Sequence, residues 1–350
     1  MTAATMHRFF RFVSIACLVC YGPQAAAQSE DSFKGKTLFI QVGSSSGGSA
    51  SHYAQALARH MGRHLPGEPQ VVVQHVPGAG GLLVANNIYN NAPKDGTVIG
   101  ITSRAFATAP LIGNSNARYD TREFGWLGSA SVEYSVCFSR HGAAARSIED
   151  LRAKELVVGA AGRAGTAAMF AEMANKLIGT RIKSVTGYPG STEVILGLER
   201  GEIDGYCGLS WTYIKLRKPE WIKEKKINIL FQMGPSKHPD LMDVPFLPDL
   251  TRSARDRAVA EFLLIPQMIG RPFFAPPGLS KHVLGILRSA FEKTMKDPEF
   301  VAEATRLKLE IEFVSGDDAQ TTVRRLYEMP AEVIREAAQI LKQPGKPARP

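Results

Sequence analysis

Two α/β lobes, each a mostly parallel sheet flanked by helices, are the fold class this sequence predicts. Three observations carry it. Strand-like apolar runs alternate with amphipathic stretches of helical period, the grammar of βαβ units with right-handed crossovers. That grammar pauses near residue 130 and restarts after Glu133. A strand-like run at 227–234 then leads back from the second unit, so the chain crosses twice between lobes, which makes a hinge and a cleft. Lobe 1 is accordingly assigned residues 28–132 plus 235–350, and lobe 2 residues 133–234.

The elements follow in order. "KTLFIQVG" at 36–43 reads as a strand, followed by a helix from about 51 to 65 that Pro66-Gly67 ends. "QVVVQHV" at 70–76 is the next strand, leading through "PGAGG" at 77–81 into the helix "LLVANNIYNNA". "TVIGITS" at 97–103 is the third. In the second unit "YSVCFS" is a strand, and Ser147 with Asp150 three residues on reads as a helix cap. "LVVGAAG" at 156–162 precedes the helix "TAAMFAEMANKLIG", closed by Gly179. "IKSVTGY" is a strand, Ser191 is expected to cap "TEVILGLERG", and "IDGYCGL" and "INILFQMG" are strands. Helices fill the remainder: Ser280 caps the first, Asp297-Pro298 interrupts the pattern, and Asp317 or Asp318 opens a last pair around Pro330.

The N-terminus indicates export. His7, Arg8 and Arg11 precede "FVSIACLVCY" at 12–21, an apolar run too short to span a bilayer. Ala25 and Ala27 in "PQAAAQSED" have signal-peptidase spacing, so residues 1–27 are expected to be a secretory signal peptide and the protein periplasmic. The rival reading, a lipid on Cys17 in "SIAC", lacks the first-position Leu and has the Ala-x-Ala site downstream. No later run is long and charge-free enough for a membrane helix. The remaining ~320 residues suit two domains. The formal net charge is +9, two of it on the leader arginines. A basic balance fits an anionic ligand, an acidic surface or nucleic acid, and export speaks against nucleic acid. The densest basic run, "KLRKPEWIKEKK" at 215–226, reads as the solvated face of a helix. Cys137 and Cys207 remain after the leader; an oxidising compartment permits a disulfide, and sequence leaves open whether they form one. Two cysteines without clustered histidines imply no metal site, and no cofactor is expected.

Gly43-Ser44-Ser45-Ser46-Gly47 matches the G-x-S-x-G nucleophile elbow. An elbow needs strands before it and a later acid and histidine. Here the pattern follows the first strand, and the late histidines, His238 and His282, fall in no strand-end loop. Catalysis by Ser45, as a secreted serine esterase, is therefore the minor reading. Gly159-Ala-Ala-Gly162-Arg-Ala-Gly165 imitates a dinucleotide loop with the wrong glycine spacing. What the two loops share is more telling. Each follows a strand, is built from small residues and runs into a helix. Such a loop exposes backbone N–H groups and the positive end of a helix, and Ser44, Ser45, Ser46 and Thr166 add hydroxyl donors. Two of them facing across a cleft would grip an anion.

These residues resemble a known family. "GGSASHYAQALARHMGRHLPGEPQVVVQHVPGAGG", "NNAPKDGTVIG", "VTGYPGSTEVILGLERGEIDG" and "RPFFAPPGLSKHVLGILRSAFEKTMKDPEF" look like the motifs of the periplasmic receptors of tripartite tricarboxylate transporters, the TctC/Bug family. The resemblance implies a Venus-flytrap fold, no chemistry on the ligand, and a small organic acid held between the lobes. It implies partners too: a large and a small membrane permease subunit. The protein itself is expected to be monomeric. Carried onto this chain, it makes Ser44, Ser45, Ser46, Gly47 and Gly48 one grip and Gly162, Arg163, Gly165 and Thr166 the other. Ser103, Tyr188, Pro189 and Gly190 line the cleft, with Trp211 as a possible wall. Arg163 is a candidate partner for a second anionic group. Many relatives carry Asp where this chain has Ser51, which mildly favours a plain anion over a ligand with an ammonium group. A ligand-presenting receptor for a membrane sensor is the alternative use of the same cleft, and which carboxylate is bound stays open.

Overall fold

β1 (Thr37–Val42) alternates half-buried and fully buried residues, as a strand covered on one face does. It lies inside a six-stranded sheet with β2 (Gln70–His75), β3 (Val98–Ile101), β4 (Gly125–Ser129), β10 (Pro272–Ala275) and β11 (Val314–Ser315), in the order β11-β4-β10-β3-β1-β2. The second sheet has five strands, β5 (Ser135–Arg140), β6 (Leu156–Ala160), β7 (Ile182–Thr186), β8 (Gly205–Ser210) and β9 (Ile227–Met233), in the order β7-β6-β8-β5-β9. The protein is seen as a computed structural model that describes residues 33–341 except 45, 47, 161–164 and 189; the expected signal peptide lies outside the described residues.

The parallel part of each sheet is its βαβ part: β2-β1-β3 in the first and β7-β6-β8 in the second. The remaining pairs, β3-β10, β10-β4, β4-β11, β8-β5 and β5-β9, are antiparallel. Each antiparallel strand adjoins a place where the chain enters or leaves a sheet by a route other than a helical crossover. Both halves are therefore mixed α/β layers.

The helices are α1 (Ser49–Met61), α2 (Leu82–Asn90), α3 (Ile148–Ala153), α4 (Thr166–Ile178), α5 (Ser191–Glu199), α6 (Trp211–Arg217), α7 (Pro219–Lys223), α8 (Ala254–Leu264), α9 (Lys281–Lys296), α10 (Pro298–Arg306), α11 (Gly316–Glu328) and α12 (Ala331–Leu341). Several boundaries are set by the residues the sequence marks. Ser147 caps α3 and Ser280 caps α9 through their hydroxyls, and Gly179 closes α4 in the left-handed region. Asp297 ends α9 and caps α10, with Pro298 at the first helical position. Two caps fall elsewhere. Ser315, not Asp317 or Asp318, caps α11, and Asp318 serves as the residue whose N–H it accepts. Gly190, extended, stands at the cap position where Ser191 was expected; Ser191 is the first helical residue, and its hydroxyl accepts from Tyr206 at 3.1 Å.

One core joins Leu38, Ile40 and Val42 of β1 to Leu57 and Met61 of α1 and Phe291 of α9. Another joins Phe138, Ile195, Leu198 and Trp221 on the second sheet. A third is continuous across the molecule, from Phe106 and Phe274 to Phe170 and Leu177 of α4, and takes in Val259 of α8 and Val333 of α12. α8 and α12 pack on each other and on α4, so part of the chain after residue 235 rests against the second half. Cys137 and Cys207, opposite one another on β5 and β8 with Cα atoms 3.9 Å apart, are joined as a disulfide.

Candidate functional site

Register brings the first-half candidates together. Val42 of β1 pairs with Ile101 of β3, and the Gly43 N–H donates to Ile101 O at 3.0 Å, so Ser44 and Ser103 emerge side by side from adjacent parallel strands. A buried contact holds the strands at that point. The Thr102 hydroxyl donates to Gly81 O at 3.1 Å, and a Cβ on Gly81 would lie 1.8 Å from that hydroxyl oxygen. Gly81 also sits at φ +93°, so glycine is required there twice over.

The chain then turns into α1 through Gly48, whose backbone is extended (φ −73°, ψ 153°) and whose helix start has no side-chain cap. In the second half, α4 starts the same way after β6: Gly165 is extended (φ −77°, ψ 155°) and, being glycine, offers no side-chain cap. Thr166 packs toward the end of β8, 3.6 Å from where a Cβ on Gly208 would stand. Gly190 opens α5 and Ser103 opens the 3-10 turn over 104–107, again without side-chain caps. Four strand ends therefore lead into helix starts that the side chain of the residue at the cap position does not cap. A helix start of this kind is a seat for an anion, and strand C-terminal ends are where open α/β sheets bind ligands.

Other candidates are spent otherwise or lie beyond description. Ser45, Gly47, Gly162, Arg163 and Pro189 lie outside the described residues, and with them the proposed Arg163 pairing. Tyr188 donates its hydroxyl to Glu202 at 3.4 Å, and its ring lies beside Gly159 and Gly197, inside the second half. Trp211 is buried there too, its indole N–H donating to Asp240 at 3.1 Å, which fits a core tryptophan. Ser51 is fully buried and bonded to His75 Nε2 at 2.7 Å, and Gln55 donates to it at 3.0 Å. It shapes the first turn of α1.

Between the two sets of strand ends lies a buried polar cluster that sequence reasoning missed. Glu133, in the link from β4 to β5, accepts from Arg271 at 2.8 Å and from Arg104 at 3.4 Å, and is hydrogen-bonded to Ser210 at the end of β8. Gln267 Oε1 accepts from Arg104 at 3.3 Å and from Ser135 at 3.1 Å. The Tyr53 ring of α1 faces the Arg271 guanidinium at 5.4 Å. The cluster thus ties α1, the turn after β3, the crossing segment and β8 into one buried polar group. Burial works to raise the Glu133 carboxyl, but the guanidiniums of Arg271 and Arg104 outweigh it and hold Glu133 below the usual carboxylate range. Its position in the crossing segment was the one available signal: a lone acid at a predicted hinge.

The comparisons with known proteins bear on this geometry. The family model of the tripartite tricarboxylate transporter family receptor matches residues 54–340. Among solved structures, a TctC solute-binding protein from Polaromonas superposes with a TM-score of 0.64 at 17% identity, over 86% of this chain and 98% of that one. The periplasmic binding protein BugD gives a TM-score of 0.64 at 20% identity, over 88% and 99%. MatC from Rhodopseudomonas palustris, solved with bound malate, gives 0.62 at 16% identity, over 87% and 99%. These likenesses establish the two-lobed periplasmic-binding-protein fold. No curated protein sequence matches.

Proposed function

The chain belongs to the tripartite tricarboxylate transporter receptor family, and from that premise we propose that it is a periplasmic solute receptor that closes on a small organic acid. The observation that carries this is the matched pair of glycine-led, uncapped helix starts, α1 after β1 and α4 after β6, in nearly the same backbone conformation. Related structures hold acids of this class: malate in MatC and adipate in another R. palustris protein. In this reading Ser44 to Gly48 and Gly162 to Thr166 donate to one carboxylate, Ser103 and Gly190 line the gap, and the ring of Tyr188 shapes it from behind. Each hydrogen bond to a charged group contributes roughly 1.5–3 kcal/mol, so four to six, less ordering costs, support about 8 kcal/mol, a micromolar complex.

Lobe 1 is residues 28–132 with 235–350 and lobe 2 is 133–234, with α8 and α12 strapping the first to the second. The receptor works as a monomer without cofactor or catalysis and delivers its ligand to a large and a small permease subunit. Among the described residues no helix is long and apolar enough to cross a membrane, which suits a protein freed by signal cleavage. A thermal-shift screen of organic acids tests the reading, since a ligand of the folded state raises its apparent stability. Carboxylates should raise Tm; a screen in which only sugars or cations did so would overturn it.

A further inference from the structure

The buried polar cluster carries two guanidiniums and one shared carboxylate. Arg271 holds the better part of it. It reaches Glu133 at 2.8 Å, donates to Gly270 O at 2.8 Å, faces the Tyr53 ring, and feels the Glu310 carboxylate. Arg104 has only the two long contacts, 3.4 Å to Glu133 and 3.3 Å to Gln267. Both exceed the usual N–H···O length of about 2.9 Å. An arginine presents five N–H donors in a rigid fork, so most of this fork is unused.

A second observation points the same way. Gln267 is 1% exposed, and its Nε2, on the amide that accepts from Arg104, has no hydrogen-bond partner among the described residues. A buried donor without an acceptor is costly, and here it stands beside a cation that is short of counter-charge. Burial pulls Arg104 below its ordinary value, and Arg271 adds to that against Glu133, whereas Arg271 itself is held above its own.

Position supplies the rest. Arg104 directly follows Ser103, which is exposed beside Ser44, and the Arg104 side chain keeps 12% exposure. Phe106, stacked on Phe274 at 4.7 Å, fixes the short turn that carries it. Through Glu133 it reaches Ser210, so it lies between the strand ends of the two halves.

We propose that Arg104 is the residue that selects ligand charge, its free fork pairing with a second anionic group of an acid whose first carboxylate is gripped at the helix starts. The inference rests on the reading of the cleft as an organic-acid site. Arginine is suited to it because two parallel N–H donors match a carboxylate edge to edge.

Calorimetric titration of the full mature protein with adipate and with hexanoate, matched in length and differing by one carboxylate, tests it. Wild type should bind adipate at least tenfold more tightly. Arg104→Gln, checked for folding by near-UV circular dichroism, should lose 30-fold or more for adipate and less than threefold for hexanoate, and Arg104→Lys should recover part of the difference. Equal losses for both acids, or an unchanged preference, would show Arg104 to be structural and overturn the inference while leaving the cleft intact. If no carboxylate in the thermal-shift screen binds wild type, the cleft reading falls and this inference with it; if another dicarboxylate binds in place of adipate, it and its monocarboxylate counterpart are the pair compared. Should Arg104→Gln not fold, Arg104→Met, which also removes the charge, carries the same comparison: a wild-type preference for adipate left whole in it rejects the assignment.

Discussion

Gly165→Asp installs a carboxylate at the start of α4, where no side chain now caps the helix. The native backbone there, φ −77° and ψ 155°, is open to any residue, so the change carries no backbone strain. Aspartate is a better N-cap than glycine by a few tenths of a kcal/mol, and its charge at the positive end of the helix contributes about 0.3–1 kcal/mol more. The free protein should therefore gain roughly 0.5–1 kcal/mol, near 2 °C in Tm. Binding should move the other way. The new carboxylate takes the donors a ligand needs, and two like charges ~4 Å apart at an effective dielectric of 20 repel by about 4 kcal/mol. Affinity for any carboxylate found by the screen should fall about 1,000-fold. Urea unfolding and calorimetric titration read the two effects separately. Gly165→Asn serves as control, since it supplies the cap without the charge. A stabilised Gly165→Asp protein that bound within tenfold of wild type would refute the seat assigned to α4. Gly48→Asp, at the matching start of α1, should behave alike.

Four further outcomes follow from the packing. Replacing Cys137 and Cys207 together by Ala releases a bridge of sequence separation 70 and should cost about 4 kcal/mol in denaturant unfolding; a loss under 1 kcal/mol would contradict a bridged native state. Gly81→Ala forces φ +93° on a side chain and drives its Cβ against Thr102 Oγ1, so it should cost about 2–4 kcal/mol, with Gly81→Ala/Thr102→Ala losing less than the sum of its parts. Glu133→Gln leaves two buried guanidiniums without their carboxylate and should lose about 3–5 kcal/mol. Because the folded Glu133 carboxyl lies below its unfolded value of 4.5, its contribution is whole above about pH 4.5 and is lost as pH falls through the folded value. Asp297 and Glu303 act in the same direction, while Glu310, which burial raises, acts oppositely. Unfolding free energy measured from pH 7 to pH 3 should fall at the acid end, and less steeply in Glu133→Gln.

Much of this architecture was legible because local chemistry decides it. The alternation of β1, the caps at Ser147 and Ser280 and the closing Gly179 are properties of short windows. The Ser191 cap is off by one residue because the extended backbone ends at Gly190, and the Ser191 hydroxyl instead meets a distant residue, Tyr206. The Cys137–Cys207 pairing was out of reach for a like reason, since it depends on β8 lying next to β5 rather than on spacing. The glycine loops are legible as anion seats and Tyr188 as a residue beside them; that its hydroxyl is engaged by Glu202 is not. The buried polar cluster was invisible altogether. Tyr53, Arg104, Glu133 and the Gln267–Arg271 stretch are four separate segments that meet only once both sheets are built.

A crystal structure of the protein with the best acid from the thermal-shift screen probes the central claim most directly. It should show one ligand carboxylate within hydrogen-bonding distance of backbone N–H groups from both helix starts, beyond Gly48 and beyond Gly165. A ligand held by one lobe alone, or seated away from those two glycines, would contradict it.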